Sequence, residues 1–425
     1  MRRLGGLWLH RDFRSLWAAE TISQFGTQVT LLALPLVAIV TLEESAFRVA
    51  LLTTAEFLPF LLFTLPAGVW VDRLRRRPIL IVANLGRALA LLSVPIAHWL
   101  DVLTIWQLYA VGFTVGVGTV FFDLAYMSYL PRLVARPELV DGNAKLETSR
   151  SAAQVGGPGL GGLLVSALTA PVAIAVDAVS YLASALLMGR IRTEEAIPPR
   201  EERRSIRVEL GEGLGYVFRH PYQRGIVGAV AISNFFGQLV FAILLVFAVR
   251  ELGLSAAAIG VILSIGSIGT LVAAVTARRL GDLLGVGKTV LLAAFLFGPG
   301  TLLIAFAPAG QAELFIVASI AIIGYGGTLF NVTMISLVQA ITPDRILGRA
   351  NASRRFVVWG VIPLGGVVAG VLAETIGLRE TIVVGSLGAM LAVIPILASP
   401  IRSLGRMSEL EDQLSPIASA SSAPA

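Results

Sequence analysis

Four acidic side chains stand inside long apolar runs of this 425-residue chain: Glu20, Glu56, Asp123 and Asp177. A carboxylate in hydrocarbon is expensive, and protonation or a cationic partner removes the cost. Groups of this kind bind and release protons, so a functional role is the first expectation for each. Glu20 or Glu56 is the first candidate for the carrier of a coupling proton. At about 1.5 Å per helical residue, Glu20 lies roughly 9 Å inward from Arg14 and Glu56 roughly 24 Å from Asp72, so the two could bracket a proton path. Enzyme chemistry has no comparable set. The chain has no Cys, and its three His, at positions 10, 98 and 220, flank apolar runs, so neither a metal site nor a cofactor is expected.

The elements that hold these acids are legible from hydropathy and charge. With 56% hydrophobic and 14% charged residues and a mean hydropathy of +0.82, the chain has too little polar surface for a water-soluble globule. Of its 33 Lys and Arg, 29 fall in seven polar segments that recur after every second apolar stretch. Cytoplasmic loops retain Lys and Arg, so the pattern predicts an all-α membrane protein with twelve transmembrane helices and both termini cytoplasmic. The expected spans are 14–41, 47–71, 78–98, 102–129, 145–169, 171–190, 222–249, 256–277, 287–307, 312–340, 354–376 and 379–399, each near the roughly twenty residues that cross a bilayer. The net charge of +6 sits beside membrane ends, where it meets anionic lipid rather than nucleic acid. The basic N-terminus does not look like a cleavable signal.

A six-helix bundle is expected over 1–190, a linker over 191–221, a second bundle over 222–400 and a disordered tail over 401–425. Within the linker, Ile206, Leu210, Leu214, Val217 and Phe218 recur at helical spacing and suggest a short surface helix, an ordinary solvated linker being the alternative. The halves echo one another. Gly118-Thr119-Val120-Phe121 recurs as Gly327-Thr328-Leu329-Phe330, and Asn143-Ala144 as Asn351-Ala352. Parallel repeats meeting at a pseudo-twofold axis suit an alternating-access transporter.

Gly68-Val-Trp-Val-Asp72-Arg73-Leu-Arg75-Arg76-Arg77 resembles the signature loop of the major facilitator superfamily, with Arg75 in place of its second Gly. The resemblance implies a cytoplasmic gate formed by Gly68, Asp72, Arg73, Arg76 and Arg77, with Gly68 allowing close helix approach. Anchoring topology is the alternative role for the arginines. Gly157-Pro158-Gly159-Leu160-Gly161-Gly162 matches the core of the antiporter motif of the superfamily's drug exporters. Gly157, Gly161 and Gly162 are expected to pack helices closely and Pro158 to kink one. Phe121-Phe122-Asp123 and the stretch 215–221 are similar to the macrolide- and siderophore-exporter branch.

On this resemblance, Asp123 is either a third proton-coupling candidate or the partner of an arginine such as Arg73. Arg87 and Asp177 fall on outer helices, where a buried structural pair is expected, because two opposite charges together cost less than either alone. Gln24, Asn234, Gln238, Tyr325 and Asn331, among aromatic residues, are expected to line the substrate cavity and to suit a bulky amphiphile. The implied activity is efflux of a hydrophobic or amphiphilic small molecule by proton antiport, by a monomer in the cell membrane. An exporter of an endogenous metabolite or siderophore, a nutrient importer and a non-transporting sensor remain alternatives.

Overall fold

The structure, a computed structural model, describes residues 6–193, 195, 206–342 and 344–406, with backbone alone at 65, 69, 72, 73, 136, 206–210, 309, 336, 339, 340, 344, 345, 347 and 348. Its helices run α1 (Arg11–Leu36), α2 (Ala46–Arg73), α3 (Arg76–Trp99), α4 (Ile105–Met127), α5 (Leu130–Leu133), α6 (Leu139–Leu168), α7 (Ala170–Gly189) and α8 (Ile206–Arg219). They continue as α9 (Pro221–Arg250), α10 (Ala256–Gly266), α11 (Ile268–Leu284), α12 (Val286–Ala305), α13 (Ala312–Ile341), α14 (Asp344–Thr375), α15 (Leu378–Met390) and α16 (Val393–Leu397). No strand occurs among the described residues.

Local chemistry starts several of these helices. Side chains of His10, Ser45 and Thr104 accept from the backbone N–H three residues on, satisfying an orphan donor at the head of α1, α2 and α4. Eleven helices among the described residues are long and apolar enough to cross a membrane. The expected span 145–169 falls in α6, which is 30 residues long but carries Asp141, Lys145, Glu147 and Arg150 in its first half.

Two compact units form, one comprising Met1–Glu202 with Leu254–Ser264, the other Arg203–Gly253 with Ile265–Ala425. In the first, α1 packs on α6 and α7, α2 on α4, and α3 on α4 and α7. In the second, α9 packs on α14 and α15, α11 on α13, and α12 on α13 and α15. Numbered by order of the long helices, these are the same five pairings, so the weak sequence echo reflects a repeated packing plan.

Two expectations are sharpened. The linker forms a helix, α8, packed on α14, with Val217 fully buried. Residues 401–406 are not a loose tail. Ile401 and Leu404 are buried, and the Gly405 and Leu404 carbonyls accept from the Val286 and Gly287 N–H groups at the head of α12. The rest of the expected tail, 407–425, lies outside the described residues.

Candidate functional site

Helix α1 carries polar residues at 20, 23, 24, 27 and 30, spacings of three and four that keep them along one stripe. Glu20 is only 5% exposed. Its Oε1 accepts from Gln24 Nε2 at 2.7 Å, while Oε2 is buried without a hydrogen-bond partner. Asp123 on α4, Arg87 on α3 and Arg150 on α6 are the charges that act on it. The carboxyl therefore has one oxygen held and one open to a proton or a cationic group. Gln24, expected in the substrate cavity, is the residue that donates to Glu20.

Glu56 is half-buried on α2, its Cγ against Gly112 and its backbone carbonyl against Gly116, so the glycines of α4 make room for it. Asp123 is half-buried.

Of the expected gate residues, Arg76 and Arg77 lie beside Glu195. Arg76 is buried, and its Nε lies 3.8 Å from Glu195 Oε1; Arg132 approaches the same oxygen at 3.7 Å. The Arg77 backbone N–H donates to Glu195 Oε2 at 3.1 Å, and its guanidinium donates to the Met188 and Gly189 carbonyls at the end of α7. Both arginines are thus engaged within their own unit, where a helix C-terminus attracts cations. Nearby, burial and then the Glu195 carboxylate push the Tyr129 phenol up to about 12. Asp12 accepts from the Arg192 and Thr193 N–H groups and the Thr193 hydroxyl, tying the start of the linker to α1. A Cβ at Gly68 would meet nothing within 4 Å among the described residues. The side chains of Asp72 and Arg73 lie outside the described residues.

Helix α6 uses its small residues on two faces. A Cβ on Gly157 would overlap Gln28, and one on Gly161 would lie 3.1 Å from the Val29 Cα, so this face seats α1. On the other face a Cβ on Gly162 would lie 2.9 Å from the Gly260 Cα, one on Gly260 would run into the Pro158 carbonyl, and the Gly159 N–H donates to Ser264 Oγ at 2.8 Å. Pro158 stands inside the helix.

Two of the expected cavity residues of the second unit hydrogen-bond to a neighbouring helix. Asn234 Nδ2 donates to the Val358 carbonyl at 2.8 Å, joining α9 to α14, and the Tyr325 hydroxyl lies 3.2 Å from Thr276 Oγ1, joining α13 to α11. Gln238 is 9% exposed with its Nε2 unpartnered, and Asn331 is exposed.

The expected Arg87–Asp177 ion pair does not form. The Arg87 guanidinium is clamped between the rings of Phe122 and Tyr181, at 4.5 and 4.2 Å, and donates to Asn84 Oδ1 and, at 3.4 Å, to the Tyr181 hydroxyl. Asp177 Oδ2 accepts from Thr30 Oγ1 at 2.5 Å and Oδ1 from Ser180 Oγ at 2.8 Å. Thr27 Oγ1 meets the Tyr181 hydroxyl at 2.8 Å, and Asn84 donates to Ser184. Each charge is solvated separately, by rings and an amide on one side and by hydroxyls on the other. A Cβ on Gly118 would run into the Arg87 stem, and one on Gly26 into Asp177 and Ser180, so both glycines exist to admit these groups. Thr27, Thr30, Asn84 and Tyr181 escaped the sequence reading. The stripe on α1 was the available signal. Among the described residues no group of three His, Asp or Glu could hold a metal.

The model of the transmembrane secretion effector family matches residues 8–417. The multidrug efflux pump Tap of Mycolicibacterium fortuitum is 28% identical, over 92% of this chain and 96% of its own length. Macrolide efflux protein A of Streptococcus pyogenes is 26% identical over 42% of this chain and 44% of its own. A crystal structure of the nucleoside transporter NupG superposes with a TM-score of 0.70 at 14% identity, covering 91% of this chain and 98% of that one. A bacterial homologue of the iron transporter ferroportin, in an inward-facing state, gives 0.71 at 18% identity with the same coverage. At these identities the structures bear on the fold alone. With a family match from end to end and an all-helical membrane architecture, the chain belongs to the transmembrane secretion effector family and is a membrane transporter of the major facilitator type.

Proposed function

We propose that this protein is a secondary active exporter of hydrophobic or amphiphilic small molecules of the antibiotic or drug kind, working by alternating access in exchange for protons. The observation that carries this reading is Glu20, a buried carboxyl with one open oxygen in a chain related along almost its whole length to a multidrug efflux pump. Binding a proton from outside neutralises Glu20 and removes the cost of burying its charge, which permits the return to the inward-facing state. Losing it to the cytoplasm restores a site that favours a cationic substrate over a neutral one. Glu56 and Asp123 are the further candidates for this role. The working unit is a monomer in the cell membrane with both termini cytoplasmic.

The test is efflux from cells overproducing the protein, across chemically diverse antibiotics, followed by transport in inside-out vesicles. A protonophore is expected to stop efflux, and active efflux driven by a sodium gradient with the proton gradient collapsed would overturn the coupling. Tolerance to none of the antibiotics would redirect the substrate to an endogenous metabolite or siderophore. Tags at Arg200 and the C-terminus are expected inside, and one at Glu43 outside. Asp72→Asn is expected to abolish most transport with expression intact; near-normal transport would leave the signature loop a topology anchor.

A further inference from the structure

Asp177 is fully buried. The donors to it are two rotatable hydroxyls, Thr30 Oγ1 and Ser180 Oγ, one on each oxygen. Arg87 on α3 is the charge that acts on it, yet that guanidinium is turned to Asn84 and to the rings of Phe122 and Tyr181. A purely structural charge pair is held in contact, because a separated pair leaves each ion to be solvated alone.

The kind of donor matters as much as the number. A backbone N–H can only donate, so a carboxyl held by such groups loses a hydrogen bond when it is protonated. Asp12 is mostly of that kind, since two of its three donors are the Arg192 and Thr193 N–H groups and one alone is a hydroxyl, that of Thr193. A hydroxyl both donates and accepts, and turns to suit. When Asp177 is ionised, Thr30 and Ser180 both donate to it. When it is protonated, its O–H donates to one of them, and that hydroxyl gives its own hydrogen to the carbonyl four residues back, as Ser and Thr in helices do. Neither state leaves an unsatisfied buried atom. The neighbouring contact between Thr27 and the Tyr181 hydroxyl is likewise free to run in either direction.

We infer that Asp177 is a second proton-binding carboxyl of the transport cycle, separate from Glu20, which takes up a proton at one of its oxygens and gives it back with Thr30 and Ser180 reversing their hydrogen bonds. This rests on the proton coupling proposed above. It also explains the cost borne at Gly26, which must lack a side chain for α7 to bring Asp177 and Ser180 against α1.

The test is infrared difference spectroscopy of the purified full-length protein between acid and alkaline pH, read in the carboxylic-acid carbonyl band. Asp177→Asn is expected to lose one band that Glu20→Gln and Asp12→Asn keep. In vesicles its gradient-driven efflux is expected to fall about tenfold while downhill movement without a gradient persists. An Asp177→Asn spectrum identical to the parent, or undiminished driven efflux, overturns the inference. Should Asp177→Asn fail to fold, Thr30→Val and Ser180→Ala leave the carboxyl in place, and each is expected to move the midpoint of its band by about one pH unit; an unmoved midpoint overturns it equally. Loss of the band in Asp177→Asn together with efflux that ignores a protonophore would sink the proton-antiport reading and leave the carboxyl's titration standing.

Discussion

The two units share one packing plan and differ in what they bury. In the first, Glu20, Arg87 and Asp177 are buried within the membrane helices; in the second, the buried polar side chains among the described residues are neutral, among them Gln223, Gln238, Thr301, Ser319, Thr333 and Ser386. The contrast is sharpest where equivalent helices meet. The α1–α7 seam sets Gly26 against Asp177 and Ser180, whereas the α9–α15 seam sets Gly385 and Gly388 against Phe236, Leu239 and Val240. The apolar seam packs as closely as the charged one. Small residues alone thus close the seam of the second unit, since helix association in lipid is driven by close packing. The charges of the first unit are the ones the proposed proton exchange calls on.

This contrast can be broken at four points. Glu20→Gln is expected to reduce gradient-driven efflux at least tenfold, or by about 1.4 kcal/mol of coupling, while Gln238→Ala in the second unit preserves the dependence on the gradient. Vesicle transport with and without a protonophore separates them, and equal loss of coupling would erase the asymmetry. Next, Gly26→Ala drives a methyl into Asp177 Oδ1 and Ser180 Oγ and should cost about 3 kcal/mol, against about 1 kcal/mol for Gly385→Ala, where the nearest atoms, the Phe236 carbonyl among them, lie at 2.9 Å; unfolding in detergent measures both.

The third point is the turn that joins the last two long helices of each unit. Gly377 takes φ +104 there without strain, but its counterpart Thr169 is held at φ +81 and ψ 157, a region suited to glycine. Thr169→Gly is expected to stabilise by about 1 kcal/mol, and Gly377→Thr to destabilise comparably. An unchanged melting temperature in both would remove the strain. The smallest effect concerns two histidines at the heads of α1 and α9. His10 Nδ1 accepts from the Phe13 N–H, whereas His220 lies between the Tyr216 and Tyr222 rings with Nδ1 buried and unpartnered. Burial holds the His220 pKa below its ordinary value. The unfolded chain therefore binds the proton first, so stability is retained above about pH 6.5 and drains away as pH falls. His220→Gln should abolish that loss in melting curves taken against pH.

Much of this was legible in one dimension. Hydropathy marks the spans and the placement of Lys and Arg sorts their ends, because both follow from transfer of single residues between water and lipid. The buried acids and the glycines of α6 stand out for the same reason, as residues costly or unusual in their surroundings. Direction was not legible. A side chain's bearing turns about 100° per helical residue, so its partner depends on how each helix is rotated and how deep it sits. Arg87 and Asp177 were identified as buried charges, but only the packing of α1, α3, α4 and α7 turned one to aromatic rings and the other to hydroxyls. Arg76 and Arg77 were identified as a cationic cluster, but Glu195 and the end of α7 decide what they hold. Asn234 and Tyr325 were identified as polar groups in apolar helices, yet neighbouring helices take up their hydrogen bonds. The sequence by itself determined which residues must lie in the membrane, since that is set by each side chain's own solvation. Only the tertiary structure decided which of them meet, since that is set by the geometry of helix against helix.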